Sequence, residues 1–183
     1  QNNSVARLMP DAEGNHYGHA RETDAALVLV QPPQEQSEQF PVNALFGYEH
    51  FFEKFLFYRG IGNLSLPFEA NCASDDVIRV SNTGPDAIGA VFLVVSDGTE
   101  EGLRFSQLPS LQSSGNTDIR VDQVGGSLEQ LAATLTQTLV EEGLYQREAE
   151  AMVATWRKSW FLEPGTRLFY LVPQRLTDEL LPL

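Results

Sequence analysis

The chain has 183 residues, of which 42% are hydrophobic and 20% charged, and its 25 acidic and 12 basic side chains give a formal charge of -13 at pH 7. That length allows a hydrophobic core without disulfides, and no apolar run approaches the roughly 20 residues of a membrane span. Because the net charge repels phosphate backbones and anionic lipid, we do not expect nucleic-acid binding, and the lack of a long apolar run predicts no membrane insertion. Cys72 is the only cysteine, so an internal disulfide and a cysteine-based zinc site are excluded.

The first thirty residues pass from a polar stretch into a short apolar run. Residues 25–30 have the length and composition of a buried strand, which Pro32 and Pro33 would end. The chain opens on Gln1 and lacks the basic and apolar regions of a signal sequence, which suggests a processed amino terminus. Together with the single cysteine and only two lysines, this favours a bacterial protein located outside the cytoplasm, either periplasmic or secreted.

Residues 40–58 hold eight of the 18 aromatic side chains. Such a density indicates either core packing or a binding platform, and residues 55–58 suit a strand. Trp156 and Trp160 lie four residues apart and could stack a sugar or a peptide, or pack in the core. Peptide or carbohydrate binding through exposed aromatic rings is therefore one functional alternative.

Short segments with apolar or alternating patterns follow, each closed by turn residues, which is typical of an antiparallel sandwich. In one of them Ile78 and Val80 share a face opposite Arg79 and Ser81, as in a strand with one wet side. The predicted strands cover residues 64–70, 77–81, 87–95, 103–108 and 117–121.

The clearest local signal predicts two helices after residue 126. Ser127 and Gln130 fit a capping box, and Leu128, Leu131, Ala132, Leu135 and Leu139 form one apolar stripe. A second stripe comprises Ala149, Met152, Val153, Trp156 and Trp160. A strand at residues 166–172 and the start of a helix at residues 176–183 complete the chain.

These patterns predict an α+β fold, an antiparallel Ig-like β-sandwich with an appended helical hairpin and a further C-terminal strand. We expect residues 1–125 to form the strand-rich body. Residues 126–183 should form a helix-helix-strand segment packed on that body as one structural unit.

His16, His19, Glu22 and Asp24 place four potential metal ligands within nine residues. On a strand, His16 and His19 would face opposite sides, and on an α-helix the positions 16, 19 and 22 would drift by about 60° per step. A loop could still gather the four side chains. A metal-dependent enzyme or a metal sensor is therefore the second alternative.

The usual catalytic motifs are absent: there is no G-x-S-x-G elbow, no Walker loop, no G-x-G-x-x-G and no HExxH. Residues 97–101 are acidic but lack the ligand spacing of an EF-hand, so they predict a hairpin tip. We therefore expect a non-catalytic protein without a cofactor.

Two resemblances to known families accompany these patterns. Asn82-Thr83-Gly84 after a strand, and the turn from Leu111 to Gly115 before another, resemble bacterial Ig-like sandwiches of the CARDB type. Three further motifs resemble an uncharacterised family of exported bacterial proteins, which implies export but no activity. They are His16-Tyr17-x-x-Ala20-Arg21-Glu22-Thr23-Asp24-Ala25, Glu53-Lys54-Phe55-Leu56-Phe57-Tyr58-Arg59-Gly60 and Ala151-Met152-Val153-x-Thr155-Trp156.

The leading hypothesis is an extracytoplasmic protein-interaction or scaffolding module whose partner is another extracytoplasmic protein.

Overall fold

A computed structural model describes residues 7–8, 16–30, 51–54 and 66–180. The chain divides into two compact units, Gln1–Arg59 with Leu144–Thr155 and Gly60–Gly143 with Trp156–Leu183. The predicted division into residues 1–125 and 126–183 stays a prediction. Most of the aromatic segment 40–58 and the strand predicted at 55–58 lie outside the described residues.

The first unit contains a small sheet with the strand order β1-β3-β2. Its strands are β1 (Arg7–Leu8), β2 (Val28–Val30) and β3 (Phe51–Glu53), and a 3-10 helix spans His16–Glu22. The expected burial of residues 25–30 is wrong, because Leu27, Val28 and Leu29 are 44%, 40% and 53% exposed. As an edge strand of a small sheet, β2 has few neighbours to cover its side chains.

The second unit contains two antiparallel sheets with the strand orders β4-β5-β8 and β7-β6-β9. The alternating segments of the sequence form these strands, although the strand predicted at 64–70 begins only at Phe68 and continues to Ser74. The strands are β4 (Phe68–Ser74), β5 (Val77–Asn82), β6 (Val91–Ser96), β7 (Arg104–Leu108), β8 (Asn116–Arg120) and β9 (Gly165–Tyr170).

Both sheets contribute to one hydrophobic cluster. Val80 and Ile119 come from the β4-β5-β8 sheet, and Val91, Leu93 and Leu108 come from the β7-β6-β9 sheet. At the margin of this cluster the rings of Phe68 and Tyr170 stack with centroids 4.2 Å apart, so β4 and β9 also meet. The α+β class is therefore confirmed, and both sheets contribute side chains to a shared core.

Asn82 ties the end of β5 to the turn that follows β7. Its amide nitrogen donates to the carbonyls of Asp86, Leu111 and Gln112 at 2.7, 3.1 and 3.2 Å, and its side-chain oxygen accepts from Gly84 N at 2.9 Å. The residue is only 1% exposed. The two sequence motifs, residues 82–84 and 111–115, are thus the two halves of one hydrogen-bonded joint.

The predicted helices are present as α1 (Leu128–Glu141) and α2 (Gln146–Arg157), and α3 spans Gln174–Leu180. The capping box of α1 is confirmed, with Gln130 N donating to Ser127 Oγ and Ser127 N to Gln130 Oε1. Leucines at four of the five predicted stripe positions are buried. None of the helices that the structure describes is long and apolar enough to cross a membrane.

The stripe predicted for α2 is wrong in part. Met152 is exposed, whereas Ala151 and Thr155 are buried together with Ala149 and Val153. Residues two apart on an α-helix lie about 200° from each other, so α2 is covered on two faces and not along a single stripe.

A π-helical turn, Lys158–Leu162, follows α2. Within it Phe161 is fully buried, whereas Trp160 and the preceding Trp156 are half-buried.

Candidate functional site

An open groove lies between the edge strand β7 and α1, within the second unit. Its volume is about 470 Å³. The groove combines the backbone of a strand edge with one flank of a helix, two elements that bind peptides in many proteins. Its lining consists of Phe105, Ser106, Gln107, Gly125, Gly126, Gln130, Ala133 and Thr134.

The outer edge of β7 is half occupied. Phe105 exchanges two backbone hydrogen bonds with Gly125, of 2.6 and 3.1 Å. The same register would place Gln123 opposite Gln107, but residues Val121–Gln123 leave the sheet in a 3-10 turn. Because strand residues alternate their hydrogen-bonding side, the N–H and C=O of Gln107 point outward, and no described residue bonds to them.

The two glycines at the groove have different roles. Gly126 has φ +78°, and a Cβ there would lie 2.4 Å from the ring of Phe105, so this position needs glycine. At Gly125 a Cβ would meet nothing within 4 Å. Gly125 therefore leaves open space that a larger side chain could fill.

On the α1 side of the groove, the polar side chains of Gln130 and Thr134 form hydrogen bonds within the protein. Gln130 belongs to the capping box, and its carbonyl accepts from Thr134 Oγ1 at 2.7 Å. No acidic, basic, imidazole or thiol side chain is among the lining residues. The groove therefore provides hydrogen-bonding groups and apolar surface, and the hydroxyls of Ser106 and Thr134 have no ionisable side chain beside them in the lining.

Three of the four predicted metal ligands have described side chains. Glu22 Oε2 lies 3.7 Å from His19 Nδ1, and Asp24 forms an ion pair with Arg147 at 2.9 Å. Among described side chains, which exclude that of His16, no group of three or more potential ligands could hold a metal. The four-residue metal site stays a prediction.

The segment around these ligands also has clear structural contacts. Arg21 donates to both carboxylate oxygens of Glu53, at 3.1 and 2.5 Å, and this pair is nearly buried. Lys54 Nζ donates to Thr23 O at 2.8 Å. Residues of the sequence segments 16–25 and 53–60 therefore contact each other, and these contacts hold the 3-10 helix against β3.

The aromatic rings near the end of α2 form a cluster. Trp156 and Trp160 stack at 5.9 Å between centroids, and Trp160 and Phe161 each lie near Phe169 of β9, at 6.3 and 6.1 Å. The two tryptophan faces that meet each other are not available to a ligand.

Acidic side chains at the surface of the second unit are held by hydrogen bonds. Two hydrogen bonds from Arg79, of 2.7 and 2.8 Å, lower the pKa of Asp118. At the predicted hairpin tip between β6 and β7, the hydroxyl and N–H of Thr99 lower the pKa of Asp97. These contacts order loops and edges, and they lie apart from the lining of the groove.

The sequence patterns did not identify Gln107 and Gly125 as residues of the candidate site. The Gly125-Gly126 pair beside a predicted strand was a usable signal, since adjacent glycines often mark a close backbone approach. The open edge at Gln107 had no local signal, because it depends on where residues 121–123 turn.

No protein-family model, no curated protein and no solved structure matches the chain.

Proposed function

We propose that the chain is a non-catalytic protein-interaction or scaffolding module of the bacterial periplasm or exterior, built on an Ig-like sandwich. The observation that carries this proposal is the groove between β7 and α1, with an unpaired backbone edge at Gln107 and a lining without ionisable side chains. Grooves of this kind bind segments of other proteins through backbone hydrogen bonds and shape.

The Ig-like assignment is supported by the two antiparallel sheets that share one core and by the joint between residues 82–84 and 111–115. Location outside the cytoplasm rests on the resemblance of three sequence segments to an uncharacterised family of exported bacterial proteins and on the single cysteine. The partner is then another protein of the same compartment.

Site-specific photocrosslinking tests the proposed function. A benzophenone amino acid in place of Gln107, whose side chain is exposed, should form an adduct with a partner protein in cells that produce the chain naturally. Adding Gly125→Leu should abolish that adduct by filling the groove, whereas Gly125→Ala should retain it. An adduct that survives Gly125→Leu, or its complete absence, would contradict the proposal.

A second candidate function is metal binding by His16, His19, Glu22 and Asp24. It is favoured by the 3-10 helix His16–Glu22, because this helix has three residues per turn and places residues 16, 19 and 22 on one face. Elemental analysis of the purified chain should then show bound metal, and a chelator should lower the melting temperature. A metal-free protein with unchanged melting would remove this candidate.

A further inference from the structure

The outer edge of β9 is a second open surface of the second unit. In the strand order β7-β6-β9, this strand pairs with β6 on one side, and no strand of the described residues pairs with its other side. It is six residues long, Gly165–Tyr170, and carries one charged side chain. A free edge of this length is a ready template for another strand.

Alternation along the strands determines which groups of β9 face outward. Because Phe105 bonds outward from β7, its neighbour Ser106 bonds inward to Leu93 of β6. The next residue of β6, Val94, therefore bonds to its partner Arg167 in β9. The N–H and C=O groups that point away from the sheet are then those of Thr166, Leu168 and Tyr170.

Aromatic rings flank this edge on both faces of the sheet. Tyr170 stacks on Phe68 on the face that belongs to the shared core. On the other face, Phe169 lies beside Trp160 and Phe161. The side chains of an added strand would alternate between these two faces, so apolar residues at alternating positions would all contact the rings of one face.

Charge selects the kind of strand that can bind. Arg167, the charged residue of β9, is already paired with Glu163 at 2.8 Å, so the edge itself is locally neutral. The whole chain carries -13, which repels a second copy and attracts a basic segment. We propose that the outer edge of β9 binds an extended segment of a partner protein with alternating apolar residues and basic flanks, by backbone pairing.

The proposal deepens the proposed interaction function but uses a surface distinct from the groove. It is tested with the peptide acetyl-Lys-Lys-Val-Thr-Val-Thr-Val-Lys-Lys-amide and the isotope-labelled chain. On binding, hydrogen exchange should slow at the amides of Thr166, Leu168 and Tyr170. The amides of Arg167 and Phe169, which already bond to β6, should be protected with and without peptide.

Control peptides of matched sequence distinguish backbone pairing from electrostatic attraction alone. N-methylation of all three valines and both threonines removes the donors from both edges of the peptide and should abolish binding, and replacing the lysines by glutamates should do the same through repulsion. New protection at Gln107 and not at the β9 amides would move the peptide to the groove and overturn the β9 assignment while leaving the interaction function standing. Binding of the N-methylated peptide would also overturn it.

A protein variant gives the complementary measurement. Thr166 is exposed and its N–H points outward, so Thr166→Pro removes one donor without breaking the ladder to β6. We expect about tenfold weaker peptide binding than in the Thr166→Ala control. Equal affinity of the two variants, or protection of the outward amides by self-association without peptide, would refute the proposal.

Discussion

Asn82 shows how much one buried polar side chain can organise. It uses both ends of its amide, joining the end of β5 to the backbone at Leu111 and Gln112. Buried amides are tolerated only when such bonds are made, because an unpaired polar group in the core loses its hydration without compensation. The sequence identified Asn82 and Gly84 as turn residues but could not identify acceptors some thirty residues away.

We expect Asn82→Ala to lower the free energy of unfolding by about 3 kcal/mol, since it removes several buried hydrogen bonds and leaves a cavity. Urea denaturation measures this loss, with Thr83→Ala at the neighbouring exposed position as the control. A loss no larger than that of the control would show that the joint contributes little.

Thr155 provides the opposite case. Its hydroxyl is buried in α2, and it makes no hydrogen bond. Thr155→Val replaces that hydroxyl by a methyl group of similar size and should raise the free energy of unfolding by about 1 kcal/mol.

The matched control for that substitution is Thr138→Val. Thr138 is equally buried, but its Oγ1 donates to Thr134 O at 2.9 Å, so the same change should destabilise the protein. Opposite signs in thermal melts would support the assignment, and a loss of stability in both variants would contradict it.

At the level of elements, the sequence correctly predicts features that depend on neighbouring residues, and it does not predict features that depend on distant ones. The start of α1 followed from Ser127 and Gln130, because a capping box lies within four residues. The strands followed from alternation. The burial of Thr155 and the exposure of Met152 depend on which chain segments surround α2, and the open edges of β7 and β9 depend on strand order. None of these is encoded in a short window of sequence.

The glycine pair before α1 gives a prediction at this scale. Gly126→Ala should lower the free energy of unfolding by about 2 kcal/mol, because its φ of +78° and the nearby Phe105 ring both oppose a side chain. Gly125→Ala should leave stability nearly unchanged. Chemical denaturation of the two single variants decides the matter, and equal effects would disprove the different roles assigned to the two positions.

At the scale of the whole molecule, surface ion pairs make the free energy of unfolding depend on pH. Hydrogen bonds from arginine side chains lower the pKa values of three aspartates. The pairs are Arg79 with Asp118, Arg120 with Asp122 and Arg175 with Asp86. A carboxyl group whose folded pKa is lowered contributes stability above its unfolded pKa of about 4, and that contribution is lost as the pH falls through the folded pKa.

Asp118→Asn tests this sign. The variant should be less stable than the natural chain at pH 7, and the difference should shrink as the pH falls from the unfolded pKa of about 4 toward the lowered folded pKa of Asp118. Urea midpoints measured between pH 3 and pH 7 report this. A difference that is constant over that range would exclude the ion pair as its cause.

The free edge of β9 also bears on the colloidal behaviour of the chain. Near neutral pH the charge of -13 keeps copies apart, so an apolar strand edge can remain open without pairing with itself. Close to the isoelectric point of about 4.5 that repulsion vanishes. We then expect edge-to-edge assembly, seen as turbidity and thioflavin T fluorescence, and Thr166→Pro should suppress both. The acidity of the surface would thus protect an edge that the fold leaves open.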